Sequence, residues 1–170
     1  MLSVREIQAS DIPAISNYWL NATDAHLLGM GVDLTKMPTK EEWFAMLTEQ
    51  IQTPIEQKKS YCIVWEVDKK SAGHSNINKI KFGKEAYMHL HLWEDKTRKQ
   101  GKGMELVKLT IPHFFEKFKL EKLYCEPYAL NPAPNKTLAK LGFKLVKTYT
   151  GIPGFLNFKQ EVNLWELEKP

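Results

Sequence analysis

Arg98-Lys-Gln-Gly-Lys-Gly103 stands between a run that reads as a strand, Ala86 to Trp93, and one that reads as a long helix, Gly101 to Phe118. Within that helix Met104, Val107, Ile111, Phe114 and Phe118 make one apolar stripe, the pattern of a helix packed on a sheet. Glycines let the backbone approach a ligand closely. The unpaired amides of a first helical turn, at the positive end of the helix dipole, are a ready site for a pyrophosphate. Lys96, Arg98, Lys99 and Lys102 add positive side chains. The segment is not a Walker loop, since no Gly-Lys-Ser/Thr closes it, and it lacks the three-glycine dinucleotide fingerprint. Pro112 cannot donate to the Lys108 carbonyl, which predicts a kink or an early stop.

The remaining sequence alternates helical and extended patterns. Ser3 to Ile7 reads as a short strand, and Ala9 to Pro13 opens a helix that runs to about Leu20 before Gly29 to Asp33 breaks the pattern. Thr39 and Glu42 form a capping box ahead of Trp43, Met46, Leu47 and Ile51 at helical spacing. Tyr61 to Trp65, Ala72 to Phe82, Leu123 to Tyr128, Phe143 to Thr148 and Val162 to Leu167 read as strands, and Pro134 to Leu141 as a short helix. The expected fold is mixed α/β, a single domain over residues 1–170 with no repeat or linker. The loop from Thr150 to Phe158, with two glycines, a proline and two phenylalanines, is a candidate site wall.

Composition narrows the function classes. The chain has 170 residues, 43% hydrophobic, with 24 Lys+Arg against 20 Asp+Glu, a net charge of +4. That mild excess suits a polyphosphate ligand without implying nucleic acid. No segment sustains the ~20 apolar residues of a membrane span, and Met1 to Ser10 has no signal-like core. Cys62 and Cys125 have no pairing motif, so a reducing cytoplasm is expected.

Arg98 to Gly103 resembles the Arg/Gln-x-x-Gly-x-Gly/Ala signature of the GNAT superfamily of acyl-CoA-dependent N-acyltransferases. Asn131-Pro-Ala-Pro-Asn-Lys-Thr-Leu-Ala-Lys-Leu-Gly-Phe143 is similar to that family's Asn-x-x-Ser/Ala segment ending in Lys-x-Gly-Phe, particularly in the branch of ribosomal-protein N-terminal acetyltransferases. The resemblance implies a twisted mixed sheet of six to seven strands, helices on both faces, and fourth and fifth strands that splay apart around the acyl-CoA arm. It implies acetyl-CoA as co-substrate, with backbone groups of His91, Leu92 and Trp93 holding the acetyl carbonyl and pantetheine. The pyrophosphate would be held by Arg98, Lys99, Gln100, Gly101, Lys102, Gly103 and Met104, and the coenzyme arm would meet Asn131. It further implies an amine acceptor, either a protein N-terminus or a small amine, and a monomer or homodimer.

Acetyl transfer from a thioester to an amine needs a base for the amine proton and can use a donor for the departing thiolate. Glu126 is a candidate base, in a position where some similar acetyltransferases carry a glutamate. His89 and His91 share one strand face with Tyr87 and Trp93, and either imidazole is suited to relaying a proton. A metal at His89-x-His91 lacks further ligands at a suitable spacing, so none is expected. The tyrosine that many family members use as thiolate donor is replaced by Leu138, and the serine of the ribosomal-protein branch by Pro134. Tyr128, Tyr124 and Tyr149 are possible substitutes. Cys125 points away from Glu126 and reads as core. The missing donor leaves a second reading open, a non-catalytic module that binds acyl-CoA. The acceptor pocket is expected between Asp11 and Ile51 and the Thr150–Phe158 loop, with Trp19, His26, Trp43, Phe155 and Phe158 as walls.

Overall fold

The computed structural model describes residues 1–98 and 100–170. Seven strands form one sheet: β1 (Leu2–Glu6), β2 (Tyr61–Val67), β3 (Lys70–Lys81), β4 (Glu85–Leu92), β5 (Lys122–Cys125), β6 (Lys144–Gly151) and β7 (Gln160–Glu168), in the order β1-β2-β3-β4-β5-β7-β6. Neighbours are antiparallel except β4 and β5, which run parallel and pair only at Glu85↔Lys122, Ala86↔Leu123 and Tyr87↔Tyr124. Beyond Met88, whose carbonyl the Cys125 thiol still reaches, β4 continues to Leu92 without β5 beside it, so the two strands splay as expected.

Period-two alternation puts β2 at the centre of two cores. Tyr61, Ile63 and Trp65 face one side, where α5 (Lys102–Phe118) and α6 (Pro132–Lys140) pack. Cys62 and Val64 face the other, beneath α1 (Ile12–Leu20), α2 (Asp24–Gly29) and α3 (Lys40–Gln52). Both faces are therefore buried, which explains why β2 reads as an unbroken apolar run. The Thr39–Glu42 capping box opens α3 as read from the sequence.

Four local features depart from the sequence expectations or add to them. No early stop occurs at Pro112. An internal proline costs about 3 kcal/mol, but Phe114, Phe115 and Phe118 lie beyond it in the core, and burying each contributes about 1.5–3 kcal/mol. The strand expected to Tyr128 ends at Cys125, one residue past its last pair with β4 and two before Pro127, which has no N–H to donate; Glu126 lies past its end, and Tyr128 keeps one isolated bridge to Val162. Two short helices escaped the sequence reading. One is α2, whose Thr23 side chain accepts from the His26 amide, and the other is α4 (Asp95–Arg98). Asp11 does not cap α1 with its side chain. It instead accepts from the Gln8 amide at 2.8 Å and pairs with Arg5 at 2.7 Å.

Candidate active site

Where β4 and β5 part, a cavity of about 440 Å³ opens. Leu90, His91 and Leu92 of β4 form one bank, Asn131 to Pro134 at the start of α6 the other, and Gly103 and Val107 of α5 the floor. Helix α5 begins at Gly101, which is left-handed (φ +70°) and gives no side-chain cap, so the first-turn amides stay open. A Cβ built on Gly103 would meet only Leu92 Cδ1, at 3.9 Å. The absence of a side chain there leaves bare backbone facing the cleft, as a phosphate cradle requires.

The strand ladder decides which backbone groups of β4 face this cavity. Trp93 N–H donates to the Ala72 carbonyl at 2.9 Å, so Trp93 and, by alternation, His91 turn their backbone groups toward β3. The free edge is offered by Leu90 and Leu92, and the Leu92 carbonyl accepts from Arg98 Nε at 2.9 Å and Nη2 at 2.8 Å. Arg98 also reaches the His26 ring at 3.2 Å. Its guanidinium thus ties α4 to the end of β4 while lining the cavity. Gln100 is exposed, Lys102 opens α5, and Met104 is half-buried. Lys99 lies outside the described residues.

A second cavity, of about 220 Å³, sits on the other face between the sheet, α1, α3 and the β6–β7 loop. Trp19 and Trp43, stacked at 5.3 Å, form one wall, and His74, Asn76, Asn78, His89 and His91 form the sheet side. Gly154 to Asn157 close it, so the suspected loop does line a cavity. Phe158 instead packs edge-on against Tyr128, and His26 lies in the first cavity. His91 and Met30 line both cavities.

Tyr18 is the residue at this junction that sequence reading missed. Its hydroxyl is 3.2 Å from His91 Nδ1, 3.2 Å from His26 Nε2 and 3.5 Å from Met30 Sδ. Burial raises its phenol well above the ordinary value, against a smaller opposite pull from Arg98. His74 was missed as well; it stacks on His91 at 4.8 Å and accepts at Nδ1 from Trp93 Nε1 at 2.8 Å. No local motif marks either residue. Only the α1-to-sheet contact and the β3–β4 register (His74↔His91) bring them to the junction.

Burial disfavours the charged imidazole, so His74 falls to about 3, His89 to about 4, and His91 well below its usual value. His89 Nε2 is bonded to Asn78 Oδ1 at 3.1 Å. Of Glu126, His89 and Tyr128, only His89 lines a cavity. Glu126 is held by the Tyr149 hydroxyl and by Lys79 at 3.6 Å, and burial raises its carboxyl above the ordinary range despite Lys79. Neither Glu126 nor Tyr128 is in either lining. Leu138 is wholly buried in the α5-side core, and Cys125, its thiol pushed up to about 12 by burial, donates to the Met88 carbonyl. Among the described residues no group of three or more His, Cys, Asp or Glu is placed to hold a metal ion.

An acetyltransferase (GNAT) domain model matches residues 2–144. The chain belongs to the GNAT acetyltransferase family. Solved structures agree on the fold. The ribosomal-protein-S5-alanine acetyltransferase from Vibrio fischeri is 22% identical with a TM-score of 0.79, over 99% of this chain and 96% of that one. A spermidine N-acetyltransferase from Vibrio cholerae, in complex with CoA and spermine, is 16% identical with a TM-score of 0.79, over 98% and 95%. The ribosomal L7/L12 alpha-N-protein acetyltransferase RimL, in complex with coenzyme A, is 19% identical with a TM-score of 0.78, over 98% and 93%. No curated protein matches the chain by sequence. No helix of this GNAT domain is long and apolar enough to cross a membrane among the described residues.

Proposed function

We propose that this GNAT domain moves an acetyl group from acetyl-CoA to a primary amine, either a protein N-terminus or a small molecule, by direct attack. The observation that carries this reading is the meeting of two cavities at His91 and Met30. The cavity between β4 and β5 receives the acyl-CoA arm, and the one beneath α1 and α3 receives the amine. Amides from Gln100 to Met104 hold the pyrophosphate, supplemented by Lys99 and Lys102, and Asn131 contacts the arm. The protein acts as a cytoplasmic monomer or homodimer, with no metal and no nucleic acid.

The chain's own groups support a proton route. The acceptor cavity is largely apolar, and desolvation lowers an amine's pKa, so the amine is neutral when it attacks. In the tautomer in which His91 Nδ1–H donates to the Tyr18 oxygen, Nε2 is left to take the proton that the amine loses. As the C–S bond breaks and its electron pair stays on sulfur, Tyr18 gives its proton to the thiolate and regains one from His91 Nδ1. Tyr18 thereby fills the role that Leu138 cannot.

Thiol release measured with acetyl-CoA and a panel of amines tests the reading. The expected result is ternary-complex kinetics, with Tyr18→Phe lowering kcat about tenfold or more while leaving acetyl-CoA affinity intact. Tight acetyl-CoA binding without turnover on any amine would establish the binding-module alternative. A ping-pong pattern would refute direct attack.

A further inference from the structure

The amine cavity has a chemistry of its own. Among the described residues in its lining there is no carboxylate, lysine or arginine. A polyamine bound there would bury a second ammonium group without a counter-charge, which is strongly unfavourable. The walls, Ile15, Val32, Met46, Leu47 and the stacked Trp19 and Trp43, instead fit an apolar body.

The polar matching is equally specific. Among the described residues, three buried side-chain atoms lack a hydrogen-bond partner, and two of them, Trp43 Nε1 and Gln50 Oε1, belong to residues lining this cavity. Gln50 Nε2 is committed to Ser60 Oγ at 3.0 Å, which leaves the amide oxygen as the unpaired end. The indole N–H can only donate and the amide oxygen can only accept. A hydroxyl that accepts from the first, or donates to the second, would satisfy the group it meets. On the sheet side the cavity runs from the level of His74 and His91, beside the coenzyme cleft, to that of Asn78. Those four residue steps along the strand span roughly 13 Å, enough for an aromatic ring with a two-carbon amine tail.

We propose that the acceptor is a monoamine whose remainder is uncharged, an apolar body of aromatic size tipped by a hydroxyl that pairs with the Trp43 indole N–H or the Gln50 amide oxygen. This rests on the acetyl-transfer reading above. The same chemistry occurs in a free aralkylamine and in a tyrosine at a protein N-terminus.

The test uses 4-hydroxyphenethylamine, phenethylamine, spermidine, and short peptides beginning with Tyr or Lys. Binding to the CoA-loaded protein is measured by calorimetry, and thiol release is measured separately. The hydroxylated amine should bind about tenfold more tightly than phenethylamine, and spermidine more weakly than either. At least one of Gln50→Met and Trp43→Phe should shrink the hydroxyl preference to about twofold or less. Two such variants guard against one of them failing to fold. A Tyr-initiated peptide that outcompetes the free amine supports the class with protein N-termini as source, and the reverse supports it with a free amine. A preference for spermidine or the Lys-initiated peptide, or a hydroxyl preference that survives both variants, overturns the proposal. The predicted binding order without acetyl transfer would sink the enzymatic reading but not the pocket assignment. Acetyl transfer favouring spermidine would do the opposite.

Discussion

Lowering the pH from 7 to 5 should destabilise this protein steeply, because three neutral imidazoles sit together between the sheet and α1. Their folded pKa values lie below the unfolded value of about 6.5. The folded state therefore binds fewer protons, and the stability these groups confer is complete above pH ~6.5 and lost as pH falls toward their folded values. Each contributes a slope of about 1.4 kcal/mol per pH unit, or about 2 kcal/mol by pH 5. His74 is buried, whereas His89 and His91 keep part of their surface. Discounting those two for solvent leaves about 4 kcal/mol in all, a large share of the ~5–15 kcal/mol typical of a domain. Carboxylates do not account for the effect. Asp11, raised by burial but pulled below its ordinary value by Arg5 and Gln8, matters only below pH ~4. Glu126, whose carboxyl is raised, changes stability in the opposite direction. Urea unfolding at pH 7, 6 and 5 measures the slope, and His89→Asn should reduce it by up to about 1.4 kcal/mol per unit. Equal stability at pH 7 and 5, or an unchanged slope in the variant, would refute the reasoning.

Two further outcomes follow from the geometry. Gly103→Val adds a side chain that the fold can accommodate, since Val and Gly differ by less than about 0.5 kcal/mol in helix propensity and the Cβ meets only Leu92. Thermal stability should hold while acetyl-CoA affinity falls about tenfold or more, about 1.4 kcal/mol; unchanged affinity by calorimetry would remove Gly103 from the cradle. Glu126→Gln should keep most turnover, because Glu126 lies outside both cavities and faces Lys79 and Tyr149. A fall of about 10²-fold in kcat, the size expected on losing a general base, would return that role to Glu126.

Much of this architecture was legible because local and global preferences agree. The Thr39–Glu42 box, the β2 run and the α5 stripe each encode their element within a few residues. One bank of the cavity between β4 and β5 was legible for the same reason, as Leu92, Arg98 and Gly103 lie close together along the chain. The second cavity was less so, because it is assembled from α1, α3, β3, β4 and the β6–β7 loop, and a pairing such as Tyr18 with His91 spans 73 residues. Glu126 was misplaced because a strand's end depends on whether a neighbour is still there to pair with it. Pro112 misled because a local penalty was weighed without the aromatic burial beyond it.

The three-residue parallel seam also has a mechanical consequence. Among the described residues, β1 to β4 form one leaf and β5, β7 and β6 another, and the ladder between them runs only over Glu85–Tyr87 against Lys122–Tyr124, with the Cys125 thiol reaching the Met88 carbonyl just beyond. At the seam's open end the leaves are free to flex like a book held at one corner of its spine. Whatever lies between them there acts as the missing stitching. Amide hydrogen exchange at Leu90 and Leu92 should therefore slow when acetyl-CoA is added, more than at Ile63 in the middle of the first leaf, making the ligand a structural member of the sheet as well as its cargo.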